Sequence, residues 1–129
     1  MLPFSVSLQS GEPLFDQVVY AVTRAVLTGQ LRVDDPFPSV RTLSQELKIN
    51  PNTAHKIVAA LVDQGFLHVR PGIGTVVAQG RPGGTAARRA LLEDDAERLV
   101  VEARKIGVGL QEVLAAVRRH WTRLVRRAG

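Results

Sequence analysis

Residues 37–77 read FPSVRTLSQELKINPNTAHKIVAALVDQGFLHVRPGIGTVV, and the order of signals inside this stretch decides the fold. Ser39 stands where a helix N-cap belongs, its side-chain oxygen able to accept a backbone N–H that the helix itself leaves unpaired. Val40, Leu43 and Leu47 follow as an apolar stripe, which predicts a short helix ending near Lys48. Asn50 can cap a second helix, and Pro51 suits its first position because the donor proline lacks would have no partner there. Ala54, Ile57, Val58, Leu61 and Val62 then share one face up to a stop at Gly65. Two helices so close together form a helix-turn-helix. Behind them, Phe66–Arg70 has strand composition, Pro71-Gly72-Ile73-Gly74 is a turn, and Thr75-Val76-Val77 is again β-branched. A hairpin in that position is a wing.

Working outward, Leu14, Val18, Val22, Ala25 and Val26 recur at helical spacing between Pro13 and Gly29 and predict a first helix. Asp34-Asp35-Pro36-Phe37-Pro38 cannot be helical, because its prolines remove donors and push the preceding residues to extended geometry; it is expected as an extended connector or lone strand. Phe4, Val6 and Leu8 alternate with polar residues and predict a short extended arm. Downstream, Gly80-Arg81-Pro82-Gly83-Gly84 breaks regular structure. Beyond it Leu92, Ala96, Leu99, Ala103 and Ile106 form a heptad-like seam, and after Gly107-Val108-Gly109 a second stripe runs through Leu110, Val113, Leu114, Val117, Trp121 and Leu124. Glu93-Asp94-Asp95 is expected at the start of the first tail helix, where carboxylates suit the dipole, and Gly109 with Glu112 as a weak cap of the second. Two short helices cannot bury both stripes, so a second copy is expected to cover Leu92, Leu99, Ala103, Ile106, Leu110, Leu114, Val117 and Trp121. The predicted class is mainly α (α+β): a winged helix-turn-helix over 1–79, a linker over 80–84, and a two-helix dimerisation and effector segment over 85–129.

Length and composition narrow the choice of function. A chain of 129 residues holds one small reading domain and a short appendix, which excludes most multidomain enzymes. With no cysteine there is neither a disulfide framework nor a thiolate metal site, and the first residues lack the order of a signal peptide. A cytoplasmic protein without a membrane span is expected. The net charge of +5 is uneven: residues 1–79 carry six basic and six acidic residues, and the excess of eleven over six lies beyond them. Bulk charge is therefore weak support for a nucleic-acid partner, and individual positions have to carry the argument.

Those positions lie on the second helix of the helix-turn-helix. Asn52, Thr53, His55 and Lys56 crowd its leading end on the side away from the apolar face. Asn can read an adenine edge, Thr can bond a base or phosphate and offer a methyl to thymine, and Lys56 suits phosphate. The plainer reading is the solvated face of an amphipathic helix. Arg41 sits in the first turn of its helix, where the dipole disfavours a cation; it either reaches DNA or pairs with Glu46 or Asp34. Gly72 serves the turn and can also let the backbone approach DNA. His55, His68 and His120 have no metal-ligand spacing, and no nucleophile, phosphate loop or catalytic group is found. Arg118, Arg119, Arg123, Arg126 and Arg127 around Trp121 suit a helix C-terminus, or else a phosphate or an acidic partner.

The run Phe37-Pro38-Ser39-Val40-Arg41, then Asn50-Pro51-Asn52-Thr53, Gly65-Phe66-Leu67 and Pro71-Gly72-Ile73-Gly74-Thr75-Val76-Val77, resembles the GntR family of bacterial regulators over residues 10–79. The short tail is similar to the YtrA-type subfamily. The resemblance implies a homodimeric, DNA-binding repressor, often of an operon for an ATP-driven transporter; two-fold symmetry makes an inverted-repeat operator the expected target, no cofactor is expected, and the existence of a small-molecule effector is left open. It implies DNA contacts from Ser39, Arg41, Asn52, Thr53, His55, Lys56 and Gly72, and Asn50, which opens the recognition helix, is expected to bind DNA with them. Ile73 departs from the family by standing where a basic wing residue is common, and Asp34 and Pro36 replace the usual glycine and basic residue. A winged-helix module that binds an acidic protein instead of DNA is the rival expectation.

Overall fold

A computed structural model describes residues 1–125, with side chains as far as Leu124. The chain divides into two compact units, one built on Met1–Arg81 and the other on Pro82–Arg123. Arg126 and Arg127 of the expected arginine cluster lie outside the described residues.

In the first unit, α1 spans Leu14–Leu27 and buries Val18, Ala21, Val22 and Ala25, the i, i+3, i+4, i+7 set that defines one helical face. Leu31 follows into the core, its N–H donating to Ala25 O at 3.0 Å. α2 spans Val40–Leu47, and the Ser39 hydroxyl accepts from Thr42 N–H at 3.1 Å as the expected cap. Lys48 ends it in the left-handed conformation, at φ 56°. The buried Ser44 hydroxyl donates to Ile49 O at 2.7 Å, so a polar group inside the turn between helices is satisfied. α3 spans Pro51–Asp63, opened by Asn50, whose Oδ1 accepts from Asn52 N–H at 2.7 Å. It packs on α1, α2 and the first strand through Ala54, Ile57 and Leu61, each fully buried.

The wing consists of β1, Leu67–Arg70, and β2, Gly74–Val77, paired antiparallel with Leu67 opposite Val77 and Arg70 opposite Gly74. The proline-rich connector proves to be a third rail of this ladder. Asp34 N–H donates to Val77 O, Val77 N–H to Asp35 O and Phe37 N–H to Thr75 O, all within 2.9 Å, and Pro36 bridges to Val76. Its prolines are tolerated because it lies at the sheet edge. The first residues form no strand. Phe4 is buried and stacks on Phe37 with centroids 5.8 Å apart, and Leu2 and Val6 pack beside it while Pro3, Ser5 and Ser7 are exposed, so the expected alternation holds as far as Val6; only Leu8 departs from it, being exposed. Beyond β2 the chain turns back: Ala78 N–H donates to Phe66 O, Gly80 N–H to Gly65 O at 2.8 Å and Arg81 N–H to Gln64 O at 3.2 Å.

In the second unit a helical run begins at Thr85, with α4 over Thr85–Arg89, a π-helical stretch over Ala90–Asp95 and α5 over Ala96–Lys105. Glu93, Asp94 and Asp95 therefore sit inside the run, and the dipole does not explain them. Leu92 lies within the π-helical stretch and is exposed. Gly107–Gly109 interrupts as expected, and α6 spans Leu110–Val125, with Val113 N–H donating to Gly109 O at 3.1 Å. Of the expected seam only Ala103 is buried; Leu92, Leu99, Ile106, Leu110, Leu114, Val117 and Trp121 are exposed in the single chain.

Candidate nucleic-acid interface

The buried stripe of α3 fixes what its other side presents. With Ala54, Ile57 and Leu61 inward, Asn52, His55, Lys56 and Ala59 project to solvent, and Thr53 is half-buried at the border. The structure brings the expected polar residues together on one exposed strip at the start of the helix. Asn50 does not share their freedom. Its Oδ1 is committed to the cap, which leaves only its amide donors for a partner. Ser39 is committed in the same way, accepting from Thr42 N–H and donating to the Thr42 hydroxyl at 3.1 Å.

Arg41 is exposed on the first turn of α2 and has no ion pair among the described residues. Both proposed intramolecular partners are engaged elsewhere. The N-terminal ammonium takes the Glu46 carboxylate, and Arg70 Nη2 lies 2.5 Å from Asp34 Oδ1. A cation held at the positive end of a helix without a counter-charge has no stabilising role there, and it is available to an external anion. Gly72, at φ 79° in the wing turn, has nothing within 4 Å of the place a Cβ would occupy. Its backbone conformation needs glycine; the space around it does not.

Three exposed positions near these residues were not singled out by sequence: Thr42, beside Arg41; Lys48, in the turn between α2 and α3; and Ala59, one turn beyond His55 and Lys56. Only Lys48 had a usable signal, as a cation in the turn of a helix-turn-helix. Among the described residues no three His, Asp or Glu side chains gather as a metal site. No helix among them is long and apolar enough to cross a membrane.

The family model for bacterial regulatory proteins of the gntR family matches residues 14–77, from the start of α1 to the end of β2. The HTH-type transcriptional regulator Rv1152 of Mycobacterium tuberculosis is 30% identical over 88 residues, 68% of this chain and 73% of its own length. The chain belongs to the GntR family. As a GntR protein it is a DNA-binding transcriptional regulator, and its fold is the winged helix-turn-helix. The GntR-type repressor YtrA of Bacillus subtilis is 24% identical over 106 residues, covering 81% of this chain and 82% of that protein. A transcriptional antiterminator from Listeria monocytogenes has the same fold, with TM-score 0.76 at 21% identity, over 95% of this chain and 92% of that one. The DNA-binding domain of AraR, solved in complex with operator ORX1, matches 57% of this chain and 95% of its own, with TM-score 0.50 and 28% identity.

Proposed function

We propose that the protein is a homodimeric repressor that sets two α3 helices into successive major grooves of an inverted-repeat operator, about 34 Å apart. The observation that carries this reading is the exposed strip Asn52, His55 and Lys56 beside an Arg41 whose intramolecular partners are taken. AraR's complex with its operator, and the repressor YtrA among the relatives, support it. In this reading Lys56 contacts phosphate, Ser39 does so by turning its O–H from the Thr42 hydroxyl, Arg41, Asn52, Thr53 and His55 reach bases or backbone, Asn50 caps α3 and offers its amide donors to the DNA, and Gly72 lets the wing approach the minor groove. Bound across a promoter in the cytoplasm, such a dimer blocks transcription sterically, and a transporter operon is the expected target.

The exposed apolar side chains of α5 and α6 support the dimer. Trp121 is 70% exposed and Leu99 47% in the single chain, and Val100 and Val101 of α5 and Leu110, Leu114 and Val117 of α6 are exposed with them. Covering such a face with a second copy removes apolar area from water at about 25 cal/mol per Å². We assign residues 1–79 to DNA, 80–84 to the linker and 85–129 to pairing.

The test is selection of bound duplexes from a random pool, followed by titration of the recovered operator at several salt concentrations. Arg41→Ala and Thr53→Ala should each weaken binding by about 5- to 150-fold, that is about 1–3 kcal/mol. A protein-interaction module would instead recover no common sequence, and its residual DNA binding would be equal on every duplex.

A further inference from the structure

The wing tip carries no net charge. Along Phe66–Val77 the one Lys or Arg is Arg70, and its guanidinium is paired at 2.5 Å with Asp34, on the strand-like segment across β2. At such exposure the pair is weak, but the carboxylate travels with the guanidinium toward any phosphate, so the local charge stays near zero. What the tip of the hairpin presents is apolar: Ile73 is 71% exposed at the apex and Val69 is 56% exposed on β1, while the exposed His68 lies further from the turn, in register with Val76 and with its side chain on the other side of the strand from Val69. The Ile73 N–H is spent inside the turn, donating to Arg70 O at 3.0 Å. Neither the Ile73 nor the Val69 side chain contributes to the core, so core packing does not account for an isoleucine at the exposed apex of the hairpin.

We propose that Ile73 is the residue with which the wing addresses the minor groove, as an uncharged wedge. The inference rests on the DNA-binding reading above. A narrow A-tract groove draws in Arg, Lys or His by its enhanced negative potential, and a wing without a free cation gains nothing from that. An apolar side chain gains instead by covering sugar edges where the groove opens, which is least costly at flexible pyrimidine–purine steps. Base pairs beneath the wing are then selected by how readily they widen.

The experiment titrates full-length protein, its I73A, I73R and D34N variants, and two operator duplexes that differ only beneath the wing, one with an A-tract and one with TA or CA steps. Because Ile73 is exposed, I73A and I73R should share the parent's circular dichroism and thermal midpoint, while D34N, which loses the exposed ion pair, should keep the circular dichroism with a slightly lowered midpoint. The parent should prefer the duplex with flexible steps. I73A should lose that preference and bind it about three- to tenfold more weakly, with an unchanged salt slope. I73R should move the preference to the A-tract and steepen the salt slope by about one, and D34N, which frees Arg70, should steepen the slope in the same sense. Parent and I73A binding both duplexes alike would overturn the role of Ile73 and leave the DNA-binding reading standing. Absence of binding by parent and variants to every selected duplex would sink both.

Discussion

Asp34 shows how one residue carries two roles. It is held at φ 75°, where a Cβ is strained, and it supplies the carboxylate for Arg70. Glycine there would relieve the backbone and lose the exposed pair, two effects of about 1 kcal/mol or less that oppose each other. Alanine would keep the strain and lose the pair. Urea denaturation should therefore find Asp34→Ala less stable than the parent by about 1 kcal/mol, and Asp34→Gly close to it. Gly80 behaves differently from Gly72. A Cβ on Gly80, at φ 90°, would lie 2.6 Å from the Phe66 ring, whereas the Gly72 position is open. Gly80→Ala should accordingly destabilise by more than Gly72→Ala, which costs only its backbone strain, about 1 kcal/mol; paired thermal melts would show the order. The family resemblance marks Asp34 as standing in place of a usual glycine, but the sequence does not show whom it pairs with. Its partner lies 36 residues away, and the fate of Arg41 follows from that pairing and from the N-terminal amine on Glu46.

Among the elements, the recognition helix was readable because its signals are local. A cap, a proline at the first position and an apolar period each act within a turn or two, and the structure keeps all three at Asn50, Pro51 and Ala54–Leu61. The same locality gives a way to separate folding from recognition. Asn50→Ala removes the cap and should cost about 1 kcal/mol of stability. Asn50→Asp keeps the cap and improves the dipole interaction while placing a carboxylate near phosphate, so operator affinity should fall in a salt-dependent way with the melting temperature held or raised. An affinity loss confined to the alanine variant would assign Asn50 to structure alone. The π-helical stretch was not legible, since no composition marks where a helix takes an extra residue; Glu93-Asp94-Asp95 imitates a helix start in the middle of a run. The third rail on β2 was hidden for a different reason. Pro36 and Pro38 argue against a ladder, and only the sheet edge makes them compatible with one.

For the whole molecule, the decisive quantity is the apolar surface that the second unit leaves uncovered. If the chain pairs as proposed above, the parent should be a dimer by sedimentation velocity, and Leu99→Glu combined with Trp121→Glu should yield monomers and lower operator affinity steeply, because two half-sites would then bind as separate events. Since both side chains are exposed in the single chain, helix content should change little. A double variant that sediments as the parent does would place the pairing surface elsewhere. The first unit has a further property that bears on control. Its polypeptide leaves through three backbone bonds to Gln64, Gly65 and Phe66, immediately behind the last turn of α3. The segment after Arg81 is thus moored to the heel of that helix as well as, through Ala78, to β2, so a pull on it is felt at the element that carries Asn52, His55 and Lys56.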